Sequence, residues 1–272
     1  DPLKQQVLIL LGQGDGYFDI PQNLSVGNDP FYVIVNDINN DTHVDIITAN
    51  SGSNDISVVY GSGDGSFRNE TKYSTGPNPR SVAVADFNND TYLDLVVVNG
   101  DNGSVSVLLA YGNHSFAEGI RYSVGSDPYT VVVGDLNNDL RPDIVVCNAG
   151  SNDISVLLAN GNGSFRIQTN YPTDSSPRFL ILADVNNDGQ KDIIVANTND
   201  NTISVYLGVG DGSFQARMTF APGSMPRALA ANDFNNDGRL DIVVGNQNEK
   251  FITLLFGYDR GALGNSIVFA SG

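Results

Sequence analysis

A nine-residue acidic stretch recurs five times in the chain, with the pattern Asp-x-Asn-Asn-Asp-x-x-x-Asp. The copies, which we name loops 1 to 5, span residues 37–45, 86–94, 135–143, 184–192 and 233–241. Each copy starts 49 residues after the previous one, and oxygen-bearing side chains occupy its positions 1, 3, 5 and 9. A fixed period of this length is typical of repeat proteins, so the chain is interpreted first as an array of equivalent units.

The spacing within each loop predicts a calcium site. A tight loop turns alternate side chains toward one point, so that the oxygens at positions 1, 3 and 5 can surround one hard cation. The position 7 carbonyl and the position 9 carboxylate would complete the six to eight oxygens that Ca²⁺ takes. The alternative is a simple turn, since Asn and Asp hydrogen-bond their own backbone. We favour calcium because a turn does not require three carboxylates, which repel one another at close range.

The sequence therefore predicts about five calcium ions, one per loop. The predicted metal ligands, at positions 1, 3, 5, 7 and 9 in turn, are Asp37, Asn39, Asp41, His43 and Asp45; Asp86, Asn88, Asp90, Tyr92 and Asp94; Asp135, Asn137, Asp139, Arg141 and Asp143; Asp184, Asn186, Asp188, Gln190 and Asp192; and Asp233, Asn235, Asp237, Arg239 and Asp241.

The segments around the loops are typical of short β-strands. In the second repeat, strand A covers 81–85, strand B 93–98, strand C 105–110 and strand D 116–124. Strand B is almost continuously apolar, which indicates a strand covered on both faces. The turn between strands C and D is rich in Asp-Gly, a strong hairpin signal because it needs positive φ. A strand rather than a helix follows these glycines, which disfavours a phosphate site. We expect an all-β chain of four-stranded antiparallel units.

Two stretches carry a family resemblance. Asp-Phe-Asn-Asn-Asp-Gly-Arg-Leu-Asp-Ile-Val-Val-Gly-Asn at 233–246 and Ile-Ser-Val-Tyr-Leu-Gly-Val-Gly-Asp-Gly-Ser-Phe at 203–214 resemble the FG-GAP/VCBS repeat. That repeat also occurs in the head of integrin α subunits and in some propeller lectins. The resemblance implies a β-propeller of four-stranded antiparallel blades, with calcium in the loop that joins strands A and B.

Loop position 6 departs from the family pattern, in which Gly is usual. Gly189 and Gly238 follow the pattern, whereas Thr42, Thr91 and Leu140 do not. If this position requires positive φ, a β-branched residue there is costly. We therefore expect the first three sites to be distorted or weaker.

The repeat boundaries predict one β-propeller domain over 1–272 that begins inside a blade. Strand C motifs number six, while the loops number five. The predicted divisions are a half blade with strands C and D at 1–29, followed by full repeats at 30–78, 79–127, 128–176, 177–225 and 226–272. We prefer a six-bladed ring with one incomplete blade to a five-bladed ring with a spare hairpin.

Composition limits the partners. The formal charge is −17, and the loops hold about half of the 31 acidic residues. This sign disfavours nucleic acid. No apolar run reaches the roughly 18 residues that span a bilayer, so we expect no membrane insertion. Cys147 is expected to be a small buried residue without a disulfide. Glycosylation and an extracellular, secreted or cell-surface location are expected from the Asn-x-Ser/Thr sequons at Asn23, Asn40, Asn69, Asn89, Asn102, Asn113 and Asn162.

A candidate ligand face lies where strand D leads into strand A. Each of these connections contains Pro, and the residue after Pro opens the innermost strand. These predicted ligand-binding residues are Phe31, Arg80, Tyr129, Arg178 and Arg227. Arg and aromatic side chains that converge on a concavity favour carboxylate-bearing or carbohydrate ligands, or an extracellular protein. The alternative is that they cover a channel rim and pair with Asp29 or Asp127.

The sequence favours a non-catalytic recognition or adhesion module with lectin-like binding. His43 and His114 have no motif-related nucleophile nearby, and calcium binding accounts for the carboxylates, which leaves no acid/base pair of the glycosidase kind. We therefore predict that the protein is not an enzyme. Two alternatives stay open. One is a structural assembly or filament-forming protein that self-associates through the half blade. The other is a calcium-dependent polysaccharide lyase.

Overall fold

The structure is a computed structural model that describes residues 5–112, 114–248, 251–258 and 261–270. These residues form 22 β-strands and no α-helix. None of the described segments contains a helix capable of crossing a bilayer. The sequon residue Asn113 lies outside the described residues, as do Asp259 and Arg260. The all-β prediction is confirmed.

The first compact unit, residues 1–123, holds a two-stranded sheet followed by two four-stranded sheets. The two-stranded sheet consists of β1 (Gln6–Ile9) and β2 (Gln22–Ser25). Sheet 1 consists of β3 (Pro30–Asn36), β4 (Asp45–Asn50), β5 (Asp55–Val59) and β6 (Thr71–Ser74). Sheet 2 consists of β7 (Pro79–Ala85), β8 (Asp94–Asn99), β9 (Ser104–Leu108) and β10 (Ile120–Ser123).

The second compact unit, residues 124–272, holds three four-stranded sheets. Sheet 3 consists of β11 (Pro128–Gly134), β12 (Asp143–Asn148), β13 (Asp153–Leu157) and β14 (Thr169–Pro172). Sheet 4 consists of β15 (Pro177–Ala183), β16 (Asp192–Asn197), β17 (Thr202–Tyr206) and β18 (Met218–Phe220). Sheet 5 consists of β19 (Pro226–Asn232), β20 (Asp241–Asn246), β21 (Phe251–Gly257) and β22 (Leu263–Ala270).

Every full sheet is an antiparallel meander whose strands follow chain order, and these strands are the predicted strands A to D. The five full repeats and the partial one predicted from the sequence are therefore confirmed as blades. Strand D is shorter than predicted: in sheet 2 it begins at Ile120 rather than at 116. Beyond a single bridge between Ala110 and Phe116, the chain leaves the ladder before strand D begins.

Neighbouring sheets of one unit pack face to face through strand B. In unit 1, Ile47 of β4 lies in one cluster with Leu95 and Val97 of β8. In unit 2, Cys147 of β12 lies in a cluster with Ile193 of β16. Strand B of sheets 1 to 4 is buried at every residue, which explains its continuous apolar run. Cys147 is a free, fully buried thiol, and burial raises its pKa to about 12.

The first and last full sheets expose apolar residues that their repeat equivalents bury. Val33 of β3 is 48% exposed, whereas Val82, Val131, Leu180 and Leu229 at the same repeat position are 0–7% exposed. Phe234 of loop 5 is 49% exposed, whereas Ile38, Phe87, Leu136 and Val185 are 1–3% exposed. Within each unit, Val82, Leu180 and Leu229 and likewise Ile38, Leu136 and Val185 lie in apolar clusters that two neighbouring sheets share.

Candidate metal centres and the strand A bulges

The five acidic loops, which join strands A and B, share one backbone conformation. Position 4 is Asn in every loop, with φ between 57° and 62°. Position 6 also has positive φ in every loop, at Thr42 (70°), Thr91 (75°), Leu140 (63°), Gly189 (82°) and Gly238 (83°). Thr or Leu in place of Gly at position 6 therefore leaves the loop conformation unchanged. The expected effect of these residues is backbone strain and not a different turn.

This strain gives a test at position 6. A non-Gly residue in the left-handed region costs of the order of 1–3 kcal/mol, and β-branched Thr is poorly suited to it. Thr91→Gly relieves this strain, but Gly gains entropy in the unfolded chain, which offsets part of the benefit. We therefore expect the free energy of unfolding to rise by about 1 kcal/mol, the lower end of the strain energy. Urea denaturation in calcium-free buffer measures this change.

The reverse substitution is the matched control. A Cβ at Gly189 would meet no heavy atom within 4 Å, so Gly189→Thr changes the backbone preference without creating a clash. We expect it to lower the free energy of unfolding by a similar amount. A Thr91→Gly variant that unfolds more easily than the unmodified chain would contradict the strain argument.

Side-chain oxygens at positions 1 and 3 converge on one backbone group. In loop 2, the N–H of Asp90 donates to both Asp86 Oδ1 and Asn88 Oδ1 at 3.1 Å. Asp86 Oδ2 accepts from the N–H of Thr91 at 2.8 Å, and Asp90 Oδ1 accepts from the N–H of Tyr92 at 2.9 Å. The other four loops repeat these bonds. The predicted ligands at positions 1, 3 and 5 are therefore brought together within each loop.

The carboxylate at position 9 ties the loop to the turn between strands C and D. Asp94 is fully buried. Its Oδ1 accepts from the N–H of Ala110 at 2.7 Å, and its Oδ2 accepts from the N–H of Phe87 at 2.9 Å. The same pair of bonds occurs at Asp45, Asp143, Asp192 and Asp241. This carboxylate thus has a structural role beside its predicted ligand role.

Burial makes the position 9 carboxylates of loops 1 to 4 costly to ionise. Desolvation raises the pKa of Asp94, Asp143 and Asp192 to about 6, although their N–H donors oppose the shift. The nearby carboxylates at positions 1 and 5 of the same loop raise the pKa further. Among the described residues no Lys or Arg forms an ion pair with a position 9 carboxylate. A cation in the loop would offset this concentration of negative charge.

Position 7 places its side chain against the turn between strands C and D. The side chains of His43, Tyr92 and Arg141 lie over the C–D turn of their own sheet, where a Cβ on Gly63, Gly112 or Gly161 would come within 2.5 Å of them. At Gly63, Gly112 and Gly161 this packing leaves no room for a larger residue. It also agrees with the prediction that position 7 contributes a backbone oxygen.

The donor set fits a hard cation. It consists of carboxylate, amide and carbonyl oxygens, the ligands that Ca²⁺ takes. An oxygen that accepts one hydrogen bond keeps a second lone pair for a metal. In the described part of the chain, no group of three or more His, Cys, Asp or Glu side chains is placed so that it could hold a metal ion, so the fit lies in the chemistry of the donors and not in their present arrangement. In each loop the position 1 carboxylate accepts from two backbone N–H groups, and the position 5 carboxylate accepts from one backbone N–H and from Nδ2 of the position 3 Asn. Calcium at the 25 predicted ligands stays a prediction.

Position 4 has a role that the sequence did not reveal. Asn40, Asn138 and Asn187 donate hydrogen bonds from Nδ2 to the following repeat of the same unit. The available signal was that position 4 is Asn in all five copies although it is not a predicted ligand. At Asn40 the amide is already engaged, so a glycan on this sequon would break the contact.

The predicted ligand-face residues share a backbone feature. Phe31, Arg80, Tyr129, Arg178 and Arg227 each lie at a register shift in the pairing of strands A and B, directly after Pro. Residue 29, 78, 127, 176 or 225, directly before that Pro, has positive φ. Bulges of this kind re-aim a side chain and are common beside binding sites. Ligand binding at these residues stays a prediction, and the bulge is a backbone feature that the sequence alone did not identify.

Two of these side chains contact each other in unit 2. The guanidinium carbon of Arg178 lies 4.9 Å from the centroid of the Tyr129 ring. Arg178 Nε donates to Ser176 Oγ at 3.2 Å, and Thr130 Oγ1 donates to the Arg178 carbonyl at 2.7 Å. Arg227 Nε is buried and has no hydrogen-bond partner among the described residues. In unit 1, Phe31 is 48% exposed, and Arg80 lies against the backbone of Gly100.

Comparison with solved structures finds the same fold at low sequence identity. An Agrocybe aegerita lectin, solved for its recognition of non-reducing terminal N-acetylglucosamine, is 18% identical with a TM-score of 0.67, over 98% of this chain and 75% of that one. A functionally unknown Desulfotomaculum acetoxidans protein is 10% identical with a TM-score of 0.75, over 99% and 78%. A putative 6-phosphogluconolactonase from Bacteroides fragilis is 15% identical with a TM-score of 0.73, over 97% and 77%.

Comparison with protein families identifies the repeat. No curated protein matches the chain. The model of the FG-GAP-like repeat matches four overlapping segments, 37–97, 86–146, 135–195 and 184–244, each of which begins at an acidic loop. The model of the FG-GAP repeat matches 225–266. These matches cover most of the chain and agree with the repeated four-stranded sheets, so the chain belongs to the family of FG-GAP-like repeat propellers.

Proposed function

We propose that this protein is an extracellular recognition module whose acidic loops bind calcium and whose strand A bulges bind a carbohydrate. The observation that carries the proposal is the fivefold repetition of one acidic loop, with the same φ angles and the same hydrogen bonds in every copy. The position 9 carboxylate is needed for its own buried hydrogen bonds, but a loop needed only as a turn would tolerate loss of a carboxylate at position 1 or 5 in one of five copies. All ten carboxylates at positions 1 and 5 are kept.

In this proposal calcium has a structural role. Each ion would lie among positions 1, 3, 5, 7 and 9, next to the buried carboxylate that holds the C–D turn. It would neutralise that carboxylate and join the two turns at one end of a sheet. Since the ion binds only the folded loop, it stabilises the fold by mass action. The protein's own contribution is to hold the side-chain oxygens of positions 1, 3, 5 and 9 close together and to direct the position 7 carbonyl toward the ion.

Carbohydrate binding is supported by the Tyr129 and Arg178 pair. An aromatic ring offers a flat apolar face, and a guanidinium donates paired hydrogen bonds to carboxylate or hydroxyl oxygens. Both side chains are half-buried and extend from bulges, so a rigid strand end presents them. The Agrocybe aegerita lectin has the same fold, which adds support for a sugar ligand without identifying it.

A glycan array in calcium buffer tests this function. We expect the intact protein to bind a subset of glycans, and Tyr129→Ala and Arg178→Ala each to reduce the signal about tenfold, as expected for loss of a stacking and hydrogen-bonding anchor. Lys72→Ala, in strand β6, is the control and should bind as the unmodified protein does. An array without any calcium-dependent signal would count against a carbohydrate ligand, and new reducing or unsaturated ends in bound acidic glycans would indicate the lyase alternative.

A second candidate function, self-association, is favoured by the apolar residues exposed on sheets 1 and 5. Val33 and Phe234 are each about half exposed, although their repeat equivalents are buried. Exposed apolar residues on the first and on the last full sheet of one chain allow a head-to-tail contact between copies. Sedimentation should then show a mass that rises with concentration and stays constant in Val33→Asp. A concentration-independent monomer would remove this candidate.

A further inference from the structure

Asparagine at position 4 connects neighbouring acidic loops inside each compact unit. Its left-handed backbone turns the side chain out of its own loop. In unit 1, Asn40 Nδ2 donates to the carbonyl of Thr91, position 6 of loop 2, at 3.0 Å. In unit 2, Asn187 Nδ2 donates to the carbonyl of Gly238, position 6 of loop 5, at 2.7 Å. Equivalent residues therefore make equivalent contacts in both units.

Loop 3 reaches loop 4 by a variant of this contact. Asn138 Nδ2 donates to Gln190 Oε1, the position 7 side chain of loop 4, at 2.6 Å and to the carbonyl of Gly210 at 3.2 Å. Gly210 belongs to the C–D turn over which Gln190 lies. Two position 4 side chains thus bind the position 6 carbonyl of the following loop, and the third binds the position 7 side chain of the following loop.

The contacted residue is also held from its own loop. The N–H of Thr91 donates to Asp86 Oδ2 at 2.8 Å, while its carbonyl accepts from Asn40. One predicted ligand of loop 2 and one residue of loop 1 therefore fix both polar backbone groups of Thr91. Asn40 itself lies between Asn39 and Asp41, two predicted ligands of loop 1. The hydrogen bond consequently joins two ligand sets.

We infer that calcium binding at one loop strengthens calcium binding at the adjacent loop of the same unit, with Asn40, Asn138 and Asn187 as the positioning residues that carry the coupling. The inference rests on the proposed calcium function. An ion in loop 2 fixes the backbone around Thr91, which orders Asn40 and the ligands beside it. An ion entering loop 1 then orders fewer groups and binds more tightly. Such coupling is reciprocal between the two sites.

Loop 5 supplies a matched control. Asn236 occupies position 4 with φ of 58°, close to the values of Asn40 and Asn187. Within the described residues it donates no hydrogen bond to another loop. Replacement by Gly removes the same side chain at each position and keeps a backbone that accepts positive φ. Asn40→Gly and Asn187→Gly therefore remove the link, whereas Asn236→Gly removes only the side chain.

Calorimetric calcium titration of the full chain, stripped of metal by a chelator, tests the coupling. We expect Asn40→Gly and Asn187→Gly to shift the titration midpoint to about fivefold higher calcium or more, the lower end of typical coupling effects, and to make the curve shallower. Asn236→Gly should titrate within about twofold of the unmodified chain, since it breaks no coupling. Thermal midpoints in chelator show whether each variant is folded before calcium is added.

The outcomes separate this inference from the function on which it rests. Calcium binding that is identical in Asn40→Gly, Asn187→Gly and Asn236→Gly would overturn the coupling and leave the calcium function intact. A folded, unmodified chain that binds no calcium would overturn both. Equal losses of thermal stability in chelator and in calcium, without a shift of the titration midpoint, would assign the asparagines a purely structural role and overturn the coupling as well.

Discussion

Removal of calcium is expected to lower the thermal unfolding midpoint by more than any single substitution discussed above. A ligand at one hundred times its dissociation constant stabilises a folded protein by about 2.7 kcal/mol per site. Five sites at that saturation contribute about 13.5 kcal/mol together, which is comparable with the roughly 5–15 kcal/mol that separates most folded proteins from their unfolded chains. We therefore expect a large fall in the midpoint, of roughly 15 °C or more for a chain of this size, when millimolar calcium is replaced by a chelator.

Scanning calorimetry in calcium, in magnesium and in chelator measures this effect. Magnesium is the control because it demands a smaller, nearly octahedral shell and gives up its water reluctantly. It should restore much less of the midpoint than calcium does. An equal midpoint in all three buffers would contradict a structural role for the ion.

Replacement of a position 9 carboxylate is the second large effect. Asp94→Ala leaves the buried N–H groups of Ala110 and Phe87 without an acceptor, and each orphaned group costs about 1–3 kcal/mol. We expect a loss of about 2–5 kcal/mol in chelator, from the two orphaned groups together. Asp94→Asn keeps one oxygen acceptor and should lose less. Both variants should lose more in calcium, since a ligand is removed as well.

An exposed carboxylate with similar bonds provides the comparison. Asp64 in a C–D turn accepts hydrogen bonds from the N–H and the hydroxyl of Ser66, but it is exposed to water. Water can replace those bonds, so Asp64→Ala should change the free energy of unfolding by no more than about 1 kcal/mol. Urea unfolding of the variants gives the values. Equal effects at Asp94 and Asp64 would show that burial of the position 9 carboxylate is not what matters.

Much of the fold could be predicted because the repeat makes every local signal occur five times. The apolar strand B, the Asp-Gly turns and the acidic loop recur at 49 residues, and the structure confirms strands A to D around them. The start of strand D was missed by several residues. In sheet 2, Ala110 and Phe116 form one isolated β-bridge, and regular pairing of strand D starts only at Ile120. No residue type between 116 and 120 indicates that the pairing is interrupted.

The candidate sites could be predicted only in part, because sequence spacing reports which residues share a loop and not what each one contacts outside it. In loop 2 the oxygens of positions 1 and 3 accept from one backbone N–H, and the position 3 amide donates to the position 5 carboxylate, while calcium at these oxygens stays a prediction. The second role of Asp94, on the N–H of Ala110 sixteen residues away, depends on how strand C ends. The contact from Asn40 to Thr91 depends on how adjacent sheets pack. The bulge at Tyr129 depends on the register of β11 against β12.

The central claim is that each acidic loop holds one calcium ion. Native mass spectrometry of the folded chain, dialysed against calcium and then against metal-free buffer, counts the ions directly. The account predicts up to five calcium ions per chain, and one fewer when a single loop loses its position 1 carboxylate in Asp184→Ala. A chain that is folded yet carries no calcium, or that carries the same number in Asp184→Ala, would contradict it.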